Sequence, residues 1–246
     1  GIHPDPRGAK ALAETVYKGI TGNCGGLQLA PIFSDGMVLQ RGGCYIHGLA
    51  NAGANVVVRY NDELLGKTVA NNRGEWRIWT VLSQPVERGV LTIAAGREVK
   101  RFNDVAVGEV WLCSGQSNMA FPLKQSATAQ QTLTHCNDNG LRIFNMRPRW
   151  ETDNVAWDST ALAEVDALRL FAPQSWRAAA PEIVGDCSAV AYYMGKMLRD
   201  SLNVPVGIVC NAVGGTPTEA WIDRPVLEQH FSSIFRHWNN NDFVMD

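Results

Sequence analysis

Val110-Trp111-Leu112-Cys113-Ser114-Gly115-Gln116-Ser117-Asn118-Met119 is the stretch whose reading decides the fold. A short apolar run reads as a buried strand. It empties into a glycine-flanked polar loop with a serine at its centre. Parallel sheets present reactive groups in this way, in the loops beyond the carboxyl ends of their strands. Ser117 is therefore the candidate nucleophile. A serine hydroxyl is a poor nucleophile at neutral pH and needs a base, an orienting group and donors for the oxyanion that forms on the attacked carbonyl. Gly115 permits a tight turn and close approach of a substrate. Gln116 and Asn118 offer polar contacts on either side. The pattern is not the Gly-x-Ser-x-Gly nucleophile elbow, because Met119 occupies the place of the second glycine.

Working outward, the chain divides into three regions, 1–25, 26–107 and 108–246. In the first, Leu12, Val16 and Ile20 recur at helical spacing among Ala9, Ala11 and Ala13, and Thr21-Gly22-Asn23-Cys24-Gly25-Gly26 reads as a stop and a linker. In the second, apolar runs at 56–60, 76–81 and 90–93 alternate with the turn signals Asn61-Asp62, Asn71-Asn72-Arg73-Gly74 and Arg88-Gly89. This spacing predicts a small β-sandwich. Trp76 and Trp79 are read as core packing rather than as sugar-stacking platforms. The third region alternates: strands at 141–144 and 206–210 flank a helix whose Val190, Tyr193, Met194, Met197 and Leu198 form a core stripe capped by Asp186 or Ser188. Strand, loop, helix and strand in this order predict an α/β fold with a mostly parallel sheet.

The chain has 246 residues, 46% of them hydrophobic, enough for a substantial core. A net charge of −2 gives no reason to expect a nucleic-acid partner, and Arg142, Arg147 and Arg149 are read as a solvated face. No run reaches the length of a membrane span, so no membrane partner is expected. The six cysteines lack metal spacing; Cys113 and Cys210 read as buried small hydrophobes, and His135-Cys136 near Asp138 has no second ligand pair.

Gly115-Gln116-Ser117-Asn118-Met119 after a Trp-Leu-Cys strand resembles block I of the SGNH hydrolases, in the branch of the sialate O-acetylesterases. Phe33-Ser34-Asp35-Gly36-Met37-Val38-Leu39-Gln40 resembles that family's opening segment. Asn211-Ala212-Val213-Gly214-Gly215-Thr216-Pro217-Thr218-Glu219-Ala220-Trp221 resembles its second glycine-rich loop. The three motifs, in the family's order, cover roughly residues 27–225. The resemblance implies a flavodoxin-like SGNH domain behind the sandwich, with Ser117 attacking the acetyl group of an O-acetylated sugar, sialic acid favoured, through an acetyl-enzyme and without a cofactor. It implies that the amides of Ser117 and Gly215 hold the oxyanion and that Glu219 and Trp221 line the substrate. Gly214 and Gly215 serving only a tight turn, and Trp221 serving only packing, remain open. So do two other functions: an acetylesterase of plant polysaccharide, or a non-catalytic carbohydrate-binding module.

The family completes its site with an oxyanion asparagine and a late Asp-x-x-His, and the residues after Trp221 match neither. His230 and His237 lie in other surroundings. The reading is an esterase domain incomplete at its C-terminus, inactive without the remainder of the protein. Gly1-Ile2-His3-Pro4-Asp5-Pro6-Arg7-Gly8 before a helix resembles the end of a preceding SGNH domain, with His3 as that domain's base. An accidental His-Pro, or His3 serving Ser117, are the alternatives. Glycan substrates imply a periplasmic or secreted protein.

Overall fold

The computed structural model describes residues 6–150, 156–167, 169–234 and 236. Its spine is one strand, β7 (Glu98–Gly115), which serves both parts of the molecule. The first half of β7 pairs antiparallel with β6 (Val86–Ala95), which continues through β3 (Asn55–Tyr60) to β4 (Glu63–Val69). The second half runs parallel to β10 (Val206–Ala212), and β10 runs parallel to β8 (Asp138–Met146). The short β9 (Arg177–Ala179) closes that edge antiparallel. Near the changeover, β1 (Val38–Gln40) lies parallel to β7, with Leu39 opposite Val107. The predicted mostly parallel sheet is thus a mixed one, because β7 does not stop at the boundary drawn at 107/108.

The sandwich is completed by a second, two-stranded sheet of β2 (Gly42–Leu49) and β5 (Glu75–Leu82). Alternation decides which face is buried. Trp76, Ile78 and Thr80 of β5 point inward against Val56, Val58 and Tyr60 of β3, all less than 7% exposed. Asn61 and Asp62, both at positive φ, make the two-residue turn that joins β3 to β4, as their residue types suggest. Trp76 is core, as read. Trp79 is not: it points outward and is 55% exposed, since its neighbours in the alternation take the inner face.

Three devices tie the two parts together. The sandwich core includes Phe144, Trp176 and Val209 of the third region. The 33–40 segment is a structural strap: Met37, Val38 and Leu39 are buried, and Ile32 O accepts from Trp176 Nε1 at 2.8 Å. Arg142 corrects the reading of a solvated arginine face. Its side chain is 3% exposed and reaches out of β8 to the carbonyls of Gly36, Glu87, Asp104 and Asn139, and to the Asp104 carboxylate. Arg147 and Arg149 do lie at the surface, paired with Asp186 and Glu164.

Helix α1 (Pro6–Thr21) forms as predicted, with Leu12, Val16, Tyr17 and Ile20 exposed along it. The segment after it is pinned rather than free: the amides of Cys24 and Gly26 donate to Asn51 Oδ1, and that of Leu27 to Glu98 Oε2. Two further short helices are α2 (Ser117–Ala120) and α3 (Ala129–Leu133). Next come α4 (Ser159–Asp166), α5 (Pro181–Val184) and the long α6 (Ala189–Leu202). The predicted stripe on α6 holds in part, with Tyr193, Met194 and Leu198 packed partly buried against the core. Val190 and Met197 are 52% and 70% exposed, while Ala191, Tyr192 and Gly195 are buried. Gly195 sets this face. A Cβ there would lie 2.2 Å from Ile208 Cδ1, so the glycine lets the helix sit close on β10. Ser188 caps α6 by accepting from the Ala191 amide at 3.2 Å, and Asp186 is left for another task.

Candidate active site

Gly115 at the end of β7 is level with Ala212 of β10, and Asn211 of β10 is level with Met146 of β8. The three parallel strands stop together, and the loops that follow leave from one edge. Gly115, at φ +141°, turns the chain. Ser117 follows at φ +33°, a left-handed backbone that non-glycine residues avoid and that costs on the order of 1–3 kcal/mol. Strain of this kind is held by surrounding bonds. The Met119 amide donates to Gln116 O at 2.8 Å. Ser188 Oγ donates to Met119 Sδ at 3.5 Å, and the Ala189 amide to Phe121 O at 2.9 Å, so the start of α6 holds the loop from behind. The result is an exposed Ser117 side chain flanked by exposed Gln116 and Asn118. The Ser117 hydroxyl donates to Gln116 Oε1.

The second glycine-rich loop meets the first directly. The Val213 amide donates to Gly115 O at 2.9 Å. Thr216 Oγ1 donates back to Val213 O at 2.8 Å, and Trp221 Nε1 donates to Thr216 Oγ1 at 3.0 Å. Trp221 is therefore a brace for this loop. Gly215 takes φ +73°, which only glycine adopts freely, and it is exposed beside the nucleophile loop. The amides of Ser117 and Gly215 make none of the backbone hydrogen bonds within these loops. Glu219 is partly exposed in the short 3₁₀ turn Thr218–Trp221.

No histidine among the described residues hydrogen-bonds Ser117. His47 lies on the sandwich, and His135 Nδ1 is engaged by Thr134 Oγ1 and Gln131 O. His230 is exposed at the end of α7 (Arg224–His230). His3 and His237 lie outside the described residues. Among the described residues no three His, Cys, Asp or Glu side chains converge as metal ligands, and no helix is long and apolar enough to cross a membrane.

Sequence reasoning missed a charged cluster on the same edge. Asp186 accepts from Lys124 Nζ at 2.7 Å and pairs with Arg147 at 2.8 Å; these hydrogen bonds, from Lys124 and then Arg147, hold its carboxyl below the ordinary aspartate range. Asn145 Nδ2 donates to Asp186 O at 3.0 Å. Asn145, Arg147 and Asp186, with Gln174, Arg177 and Glu182, line a hollow of about 320 Å³ at the end of β8. The signal was present: Arg147 directly follows a strand that ends at the sheet's carboxyl edge, where α/β folds bind ligands. Behind the edge lie buried thiols. Burial pushes Cys113 up to about 11, and Cys187, 3.3 Å from Cys210 Sγ, is raised well above its usual value by its hydrogen bond to Cys210 and by burial.

The chain is similar to known proteins over most of its length. The chain is 31% identical to the sialate O-acetylesterase of Rattus norvegicus over 220 residues, 82% of this chain and 39% of that protein. It is 30% identical to the human sialate O-acetylesterase over 213 residues, 80% of this chain and 39% of that protein. The chain thus spans about two-fifths of the length of these curated relatives. The crystal structure of a carbohydrate acetylesterase from Xanthomonas citri superposes with a TM-score of 0.68 at 29% identity, covering 84% of this chain and 45% of that one. Residues 107–242 match the family described as carbohydrate esterase, sialic acid-specific acetylesterase, and the chain belongs to that family.

Proposed function

We propose that this chain carries the nucleophile of a carbohydrate O-acetylesterase, with Ser117 attacking the acetyl carbonyl of an O-acetylated sugar and sialic acid as the favoured substrate. One observation carries the reading. An exposed serine on a strained backbone stands at the carboxyl end of a parallel strand, and a glycine loop from the next strand is hydrogen-bonded to its base. The serine oxygen adds to the carbonyl carbon, and the amides of Ser117 and Gly215 receive the negative oxygen of the tetrahedral intermediate. The sugar hydroxyl leaves as the acetyl-enzyme forms, and water hydrolyses that ester. A histidine removes the serine proton and returns one to the sugar oxygen. The described residues place no histidine there, and this reading takes the base, together with an asparagine for the oxyanion, from residues outside those described. On this reading these 246 residues by themselves are a poor esterase.

The test is acetate release from 9-O-acetyl-N-acetylneuraminic acid by the intact protein, with labelling by a fluorophosphonate probe. Ser117→Ala is expected to abolish both at this domain, after any second esterase domain has been disabled. Unchanged turnover in Ser117→Ala would remove Ser117 from the nucleophile's role.

A further inference from the structure

The charged hollow at the end of β8 takes no part in the acyl transfer itself, yet it opens on the same row of the sheet as the nucleophile loop. Ile143 and Asn145 of β8 and Arg147 just beyond it line the hollow. Each is two residues from the next, so they stand on one face of the sheet. Cys113, Cys210 and Asn145 are level across β7, β10 and β8, and Gly115 is level with Ala212. Two residues on from Asn145, Arg147 falls in line with Gly115 and Ala212. Neighbouring strands lie about 4.8 Å apart, so two steps across the sheet put Arg147 about 10 Å from Gly115, where the chain turns to Ser117.

The donors of this cluster are only partly used. Both carboxylate oxygens of Asp186 are taken, Oδ1 by Lys124 and Oδ2 by Arg147 Nη2. Arg147 Nη2 also donates to Asp186 O at 3.3 Å, so Asp186 fixes one edge of the guanidinium. Nε and Nη1 of Arg147 make no hydrogen bond with a described residue. Arg177, on the same hollow, has no ionic partner among the described residues. Three cations, Lys124, Arg147 and Arg177, accompany two carboxylates, Asp186 and Glu182, and leave the hollow positive. A guanidinium anchored at one edge, with donors left over and half its surface in water, is a receptor for an anionic oxygen group.

We propose, on the reading of Ser117 given above, that Arg147, with Arg177 beside it, takes the carboxylate of the sialic acid whose acetyl group Ser117 removes. Arg147 is then the residue that tells this substrate from a neutral acetylated sugar. Length selects the occupant. In a sialic acid acetylated at the far end of its side chain, about eight bonds join the carboxylate carbon to the acetyl carbonyl, and at about 3.5 Å per three extended bonds they span about 9 Å. That matches the distance along the row from Arg147 to the turn before Ser117. An acetylated hexuronic acid has at most about six such bonds, about 7 Å, and falls short. Acetylated xylose units carry no charge for Arg147 to hold.

The test is acetate release by the intact protein, with any second esterase domain disabled, from 9-O-acetyl-N-acetylneuraminic acid and from its methyl ester. The ester keeps the sugar and the acetyl group and loses the charge. The parent is expected to favour the acid by about tenfold or more in kcat/KM. The preference should lie in KM, because the carboxylate is remote from the reacting carbon and is held alike in ground and transition states. Arg147→Gln is expected to bring the two substrates to within about twofold of each other, and Arg147→Lys to keep part of the preference. A side chain that only supported the fold would lower both substrates together and leave their ratio unchanged. Should Arg147→Gln fold poorly, Arg177→Gln carries the same expectation in smaller measure from the other side of the hollow. Equal kcat/KM for acid and ester in the parent overturns the proposal. So does a preference for the acid that survives both substitutions, or one that lies in kcat alone. Ser117→Ala is read on the methyl ester, which has no free carboxylate. A failure at the nucleophile shows there, and a failure at Arg147 does not.

Discussion

Replacing Arg142 by methionine keeps most of the side chain's length and removes its charge and donors. Its guanidinium is 3% exposed and serves the carbonyls of Gly36 at 3.0 Å, Glu87 at 2.9 Å and Asn139 at 3.2 Å, as well as both the carbonyl and the carboxylate of Asp104. The ionic part is modest, because Asp104 is 46% exposed and also has Arg88 at 3.3 Å. The carbonyls dominate. A buried acceptor stripped of its partner costs about 1–3 kcal/mol, less where water follows the side chain out. Partial rehydration brings the net loss to about 3–4 kcal/mol, in the range seen when a buried charged group's partnership is broken. For a domain of this size that is a fall of roughly 6–16 °C in melting temperature. Differential scanning calorimetry and urea unfolding followed by tryptophan fluorescence measure it. Arg142→Lys should recover part of the loss, since an ammonium still donates but cannot span all the acceptors. Arg147→Met, on the exposed edge, should cost less than about 1 kcal/mol. A melting temperature for Arg142→Met within a degree of the parent's would refute the claim that this side chain joins the two parts.

Gly108→Ala places a Cβ 1.9 Å from Pro205 O, where the Glu109 amide also bonds, and should destabilise the chain by about 3 kcal/mol or more in urea titration. Ser188→Ala removes the cap of α6 and should cost about 1 kcal/mol by the same assay. Asp186, held below the usual aspartate value by Lys124 and Arg147, contributes stability above the unfolded-state value of about 4 and loses it as pH falls through its lowered folded value. Asp186→Asn should therefore narrow its stability gap from the parent as pH drops below about 4, measured by melting at a series of pH values. Cys113 and Cys187, both buried and held as thiols, should resist iodoacetamide at pH 8 until the chain unfolds, whereas Cys44, partly exposed, reacts first; peptide mass mapping reads the order.

Local patterns in the chain determined a good deal by themselves. The strand at 76–81 formed where it was read, with Trp76 inside, Asn61-Asp62 made the turn its residue types favour, and Ser188, one of the two candidate caps, capped α6. The loop 115–119 announced the strand end and the exposed serine, because a strand, a glycine and a short polar run are all local features. What was not local was not legible. Which of two alternating faces meets a partner sheet depends on residues far away in the chain, and so Trp79 lies in the open. Tyr193, Met194 and Leu198 of the apolar stripe of α6 pack inward, but its buried side centres on Ala191, Tyr192 and Gly195 because Gly195 meets Ile208, a contact between two elements. Arg142 is interior because carbonyls at 36, 87 and 104 surround it, and an arginine in a strand carries no mark of the acceptors that await it. The same holds for β7: the reading drew a boundary at 107/108 and a strand from Val110, and only tertiary pairing, antiparallel with β6 and then parallel with β10, made 98–115 one strand. Burial and hydrogen-bond satisfaction are properties of the assembled whole, and they decide where patterning leaves a choice.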